Sequence, residues 1–157
     1  TDFFRNAGAV SRIAGNFDRI QINFDWHDYP LQSVTDVLNR YPKKTIITQH
    51  NLVNMGLHDK LMEYPNHAVL FDSSLGMGKT PVDWPVYIHG RYCGYAGGLS
   101  PDNLPIELHK IEYASYYQPY WIDMETGIRD RADKFSLEKI RRVIQQIREF
   151  DKVKKKI

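Results

Sequence analysis

Apolar and polar positions change period several times along the chain, and the changes mark alternating helices and strands. Phe3, Phe4, Ala7, Val10 and Ile13 recur at helical intervals until Gly15-Asn16 supplies a stop. Residues 19–24 then read as a short strand. Leu31 to Arg40 is helical, with Leu31, Val34, Val37 and Leu38 on one face and Tyr41-Pro42 as its end. Thr45 to Thr48 is short and β-branched, as a buried strand is. The unit repeats: a helix from Leu57 to Tyr64, a strand from His67 to Phe71 ending at Asp72, and a Gly-rich loop from Ser73 to Thr80. Arg91 to Ala96 is a weaker strand stopped by Gly97-Gly98. Ser100 as N-cap and Pro101 at the first helical position open another helix. Tyr120-Trp121-Ile122 leads to Asp123. The last helix carries Leu137, Ile140, Val143, Ile144, Ile147 and Phe150 in one stripe behind a Ser136 cap.

Five strands alternating with five or six helices predict parallel βαβ units in an α/β fold. An open doubly wound sheet and part of a closed barrel both satisfy that pattern. No linker or low-complexity stretch interrupts residues 1–157, which read as a single domain with 151–157 as a basic tail. The chain starts at Thr1, inside a helical pattern, and this points to a fragment, a processed chain or a further upstream part.

Composition narrows the function classes. The net charge of +2 lacks the basic excess of nucleic-acid binders. One cysteine, Cys93, excludes an intrachain disulfide and a multi-cysteine zinc cluster. No apolar run reaches the ~20 residues of a membrane span, so a soluble, cytoplasmic protein is expected. His50 and His58 lack a convincing metal-ligand spacing, and neither a metal nor a cofactor is expected.

Three loops, each directly after a strand, carry the candidate chemistry. Gly78-Lys79-Thr80 looks like the end of a nucleotide-binding P-loop. That motif needs a glycine five positions earlier, where Ser73 stands, and a helix directly afterwards, where Pro81 and Pro85 intervene. The loop from Leu70 to Trp84, with Asp72, Gly78-Lys79-Thr80 and Asp83-Trp84, instead resembles phosphoribosylanthranilate isomerases. There an aspartate ends the sixth strand before a Gly-Lys-Thr loop and an Asp-Trp pair. Ala96-Gly97-Gly98-Leu99 resembles that family's turn after the seventh strand. Asp123-Met124-Glu125-Thr126-Gly127 resembles its Asp-x-Ser-Ser-Gly turn after the eighth. Ile20-Gln21-Ile22 is similar to the fourth strand, so the likeness spans about residues 18 to 148.

The resemblance implies a TIM (βα)8 barrel of which this chain covers about five of the eight βα units, the fourth to the eighth strands. It also implies an Amadori-type rearrangement of an aldose phosphate to a ketose phosphate by general acid/base catalysis, a step of tryptophan biosynthesis. Asp72 matches the family's general acid and Asp123 the aspartate that engages the substrate's amino group. Gly97, Gly98, Thr126 and Gly127 fall at its phosphate seat, where a helix opening at Ser100 would direct N–H groups at an anion. Gln21, Asn23, Gln49, His50 and Asn51 are polar residues at or near strand ends, suited to a hydroxyl-rich ligand. Trp26 and Trp84 are the candidates for stacking on a ring.

The departures from the family cluster around the ligand. Its base is a cysteine ending the first strand, expected about 75 to 90 residues before Thr1 on barrel dimensions. Cys93, within a strand, reads as a core residue. Glu125 and Thr126 stand where the family has two serines, and a carboxylate beside phosphate must turn away or pair with a cation such as Arg129. The alternative is therefore a barrel of the same lineage acting on another sugar-like metabolite. A five-strand piece leaves edges to cover, so the partner expected besides a small substrate is the remaining set of strands, from the same polypeptide or from another chain.

Overall fold

The computed structural model describes residue 4, residues 8–72 and residues 77–154. Strands β1 (Arg19–Ile22), β2 (Thr45–His50), β3 (His67–Asp72), β4 (Cys93–Ala96) and β5 (Tyr120–Asp123) form one sheet in sequential order. All four pairings are parallel. Helices α1 (Gly8–Ala14), α2 (Leu31–Arg40), α3 (Leu57–Lys60), α4 (Leu104–Ala114) and α5 (Leu137–Lys154) complete the described elements, with single 3-10 turns at Trp26–Asp28 and Thr126–Ile128.

Alternation along the strands sorts side chains into two layers. Ile22 and Ile46 pack outward on Val34, Val37 and Leu38 of α2 and on Leu57 and Leu61. Val69, Phe71, Cys93 and Tyr95 pack outward on Leu104, Leu108 and Ile111 of α4, which makes Cys93 a core residue as its position implied. The opposite face carries Ile47, Ala68, Leu70 and Ala96, closed over by Trp121. Trp121 pairs with Gly94 in the register, and a Cβ on Gly94 would collide with the indole.

The sheet curls around this inner face. In a flat sheet β1 and β5 would lie roughly 19 Å apart, four strand spacings. Here the Arg19 guanidinium sits 4.5 Å from the Trp121 ring and 5.3 Å from the Tyr92 ring. Side chains of the first and last strands meet only because the sheet bends toward itself. The architecture is a parallel α/β half-barrel of five strands.

Several element boundaries differ from those expected. β1 stops at Ile22, and the Gln21 side chain donates to Asn23 Oδ1 at 2.9 Å just beyond it. β2 runs on to His50. The helix expected to reach Tyr64 ends at Lys60, where Leu61 and Tyr64 N–H groups bond three residues back. β4 begins at Cys93 because Arg91 closes a turn onto the Ile88 carbonyl. No helix fills the β3–β4 crossover among the described residues; Pro81 and Pro85 hold it irregular, and Trp84 plugs the core with Nε1 donating to buried Glu107 at 2.8 Å.

Ser136 does cap α5, accepting from the Lys139 N–H at 3.3 Å. The apolar stripe of α5 is narrower than its sequence suggested, since Leu137 and Ile144 stay exposed while Val143, Ile147 and Phe150 pack on the core. Residues 151–154, assigned above to a basic tail, are the last turn of α5, and Lys154 pairs with buried Glu112 at 2.6 Å. Phe3 and Ala7 of the first stripe, Ser73 to Gly76 of the Gly-rich loop, and Lys155 and Lys156 lie outside the described residues.

Two outcomes are expected from this packing. Gly94→Ala should destabilise the protein by about 1–3 kcal/mol, read by urea unfolding, because the added methyl displaces the indole. His67 is buried, with Nε2 2.9 Å from the Thr48 hydroxyl, and its pKa is lowered to about 3 by burial and then by Arg91 and His58. The unfolded chain takes up this proton near pH 6.5 and the folded chain does not. Stability should therefore be full above pH 6.5 and fall by up to about 1.4 kcal/mol per pH unit between pH 6.5 and about 3. His67→Gln should flatten that part of the stability curve.

Candidate functional site

The C-terminal ends of β3, β4 and β5 open into one cleft of about 230 Å³. Pairing sets Asp72 opposite Ala96 and Ala96 opposite Asp123, so the two carboxylates stand in one row with a methyl group between them. Two strand spacings put them roughly 10 Å apart along the sheet. Asp72, Asp123, Gly97, Gly98, Thr126 and Gly127 all line this cleft, so the structure gathers six of the residues singled out from sequence. The volume lies below the ~300–1,000 Å³ of drug-sized pockets, and suits a small polar group.

The turn after β4 is built by close backbone approach. Gly97 and Gly98 have φ of 127° and 59°, in the region that L side chains avoid. A Cβ on Gly98 would strike Thr80 and the Gly78 carbonyl. The Gly98 carbonyl accepts from the Thr80 hydroxyl at 3.2 Å and from Asn103 Nδ2 at 2.9 Å, which ties the β3 loop to the β4 loop. Gly127 packs equally tightly on the Leu99 carbonyl, joining the β5 loop to the same turn. Thr80, part of the Gly-Lys-Thr motif, and Asn103 organise the cleft through their side chains, a role that the sequence did not assign to either.

The helix expected to open at Ser100 begins three residues later. The Asn103 side chain accepts from the Ser100 N–H at 2.8 Å, and the N–H groups of Asn103 and Leu104 turn back to the Ser100 carbonyl. These three donors are spent within the turn. Residues 101–103 thus form a non-helical lead into α4.

The carboxylates differ in setting. Asp72 is buried, and Gln49 on the inner face of β2 donates to its Oδ2 at 3.3 Å. Asp123 stands at the exposed mouth, yet the enclosing strand ends raise its pKa. The Met124 N–H opposes that rise, and the charges of Glu125 and Asp72 add to it. Glu125 also lines the cleft, and it pairs with Arg129 at 3.0 Å. Arg129 in turn donates to the Asp133 carbonyl at 2.7 Å and lies over Phe135 at 4.4 Å. Among the described lining residues three are carboxylates, and Lys, Arg and His are absent.

Gln21, Asn23 and His50 are not among the residues lining this cleft. Gln21 and Asn23 bond to each other. His50 faces the outer layer, between the rings of His58 (4.8 Å) and Phe71 (5.4 Å), and burial, with His58 beside it, lowers its pKa. Its orientation follows from strand alternation: Gln49 takes the inner face, so His50 takes the outer. Trp26 and Trp84 are also away from the cleft. Among the described residues no cluster of three or more His, Cys, Asp or Glu could hold a metal ion, and no helix is long and apolar enough to cross a membrane.

A curled parallel sheet with a cleft at the carboxyl ends of its strands defines the class, a partial TIM barrel. The fold is similar to the crystal structure of phosphoribosyl anthranilate isomerase from Thermotoga maritima. The TM-score is 0.58 at 16% identity, over 90% of this chain and 68% of that one. At this identity the likeness is one of fold. No family model and no curated protein matches the chain.

Gly98→Ala is expected to cost about 1–3 kcal/mol through the positive φ and the contact with Thr80. The measurement is chemical unfolding, accompanied by loss of the amide resonances of the cleft turns from their native positions.

Proposed function

We propose that this cleft performs general acid/base chemistry on a sugar-like substrate, an aldose-to-ketose isomerisation of the phosphoribosylanthranilate isomerase type. The observation that carries the reading is the pair of strand-end carboxylates, Asp72 and Asp123, facing one cleft in the fold of that isomerase. Asp72 is the acid that protonates the ring oxygen as the sugar opens. Asp123, whose raised pKa suits proton exchange, engages the amino group at the anomeric carbon. The turns at Gly97-Gly98 and Thr126-Gly127 seat the far end of the substrate, a phosphate in the family's own reaction.

In this reading the five units correspond to the fourth to eighth of eight. The base, a cysteine in the family, comes with the first three strands, supplied by the same polypeptide or by another chain. A second reading, a relative acting on a different sugar-like metabolite, is favoured by one observation: Glu125 lines the cleft where the family has serine.

Rescue of a tryptophan auxotroph lacking this isomerase tests the first reading, and failure with soluble protein supports the second. Under the first, Asp72→Asn should reduce turnover about 10²–10⁴-fold. Undiminished turnover would remove Asp72 from the acid role.

A further inference from the structure

We propose that the outer face formed by α4 and the β3–β4 crossover is a self-complementary docking surface for a second copy of this chain. The face lies over β3 and β4, in the middle of the sheet, and shares no residue with the cleft. It is therefore independent of the isomerase reading.

In place of a helix, the described part of the crossover lays an irregular segment beside α4, where the Tyr87 N–H donates to the Ala114 carbonyl at 2.9 Å. The two leave a groove of about 530 Å³. Val82, Asp83 and Val86 form one wall, and Lys110, Tyr113 and Tyr116 form the other. Buried Trp84 closes the floor, with its Nε1 bonded to Glu107.

The apolar side chains of both walls stand in water. Val82 is 89% exposed, Val86 56%, Tyr113 75% and Tyr116 62%. Ile106, two turns before Tyr113 on the same side of α4, and Tyr117 extend the patch and are also exposed. Given roughly 150–250 Å² for an aromatic side chain, these six residues present roughly 700 Å² together. That exceeds the ~300–600 Å² of the largest apolar patch on an ordinary monomer. It approaches the ~800 Å² that each partner gives to a standard interface.

The charges identify the partner as another copy. The Asp83 carboxylate has no partner among the described residues. On the facing wall Lys110 is half-exposed, with Nζ 2.9 Å from Glu107 Oε1. An acid on one wall and a base on the other make the surface its own complement. About a twofold axis, the crossover of each copy meets α4 of the other, and the contact repeats itself. Asp83 then faces Lys110 at the rim of an apolar, tyrosine-rich centre, as protein interfaces are built.

The end of α4 fits this role. Tyr116 and Tyr117 hold φ of 51° and 60°, where glycine is favoured, and the Tyr117 N–H donates back to the Glu112 carbonyl at 3.1 Å. Both rings are exposed, so core packing does not offset that strain. Tyrosine at a glycine position adds contact area to the patch and nothing to the core.

The test is sedimentation equilibrium of the 157-residue chain, wild type and three variants. At this interface size a dimer with a Kd of about 1 μM or tighter is expected. Val82→Asp and Tyr113→Asp, on opposite walls, should each weaken it at least about tenfold by carrying a charge into the apolar centre. Ile144→Asp, exposed on α5 outside the patch, should leave it unchanged. All three positions are exposed, so the variants are expected to fold, and circular dichroism checks this. A wild-type monomer at about 100 μM, roughly a hundredfold above that Kd, overturns the inference. So does a dimer that both patch variants leave intact, which assigns self-association to the open edges of β1 and β5. A dimer that Ile144→Asp weakens as much as they do overturns it as well.

Discussion

Five parallel strands can lie flat or curl, and the side chains of the inner face decide which. Gly94, Ala68 and Ala96 leave the middle of that face shallow, and Trp121 lies across Gly94 to fill it. Arg19 then reaches over from the opposite strand to stack on the same indole. Ala68, Gly94 and Ala96 beside the larger Ile47, Leu70 and Trp121 give a concave surface that packs when the sheet bends. The curl in turn points the strand ends at one another, and the cleft exists because they converge.

The cleft is shaped by backbone more than by side chains. Gly98 and Gly127 each stand where a Cβ would collide with a neighbouring loop, so three loops interlock at van der Waals distance. Thr80 and Asn103 fasten two of them through the Gly98 carbonyl. Against this fixed frame the polar character of the site comes from three carboxylates. Burial and the charges of Glu125 and Asp72 raise the pKa of one of them, Asp123, against the pull of the Met124 N–H. The fold is similar to that of a phosphoribosyl anthranilate isomerase, whereas the charge on the wall belongs to this chain.

Much of this was legible along the chain. Strand alternation and helical periodicity located every strand, and the acidic residue ending β3 and the one ending β5 proved to share a cleft with the glycine turns between them. What misled was local. Ser100-Pro101 has the composition of a helix start, but Asn103 captures the Ser100 N–H and delays α4. His50 looked like a strand-end ligand because the expected strand stopped at Thr48. Extending β2 through His50 turns that side chain outward, onto His58 and Phe71.

By itself, then, the sequence determined the order of elements and the residue types at each strand end, since both follow from short-range periodicity and turn chemistry. Only the tertiary structure chose a curled sheet over a flat one, because that depends on Arg19 and Trp121 meeting across five strands. It alone also determined which polar residues share the cleft. A strand's alternation puts Gln49 on the inner face, bonded to Asp72, and His50 on the outer one, and the pairing register fixes Asp72 and Asp123 in one row. Register is set by contacts between distant segments, and no local pattern contains it.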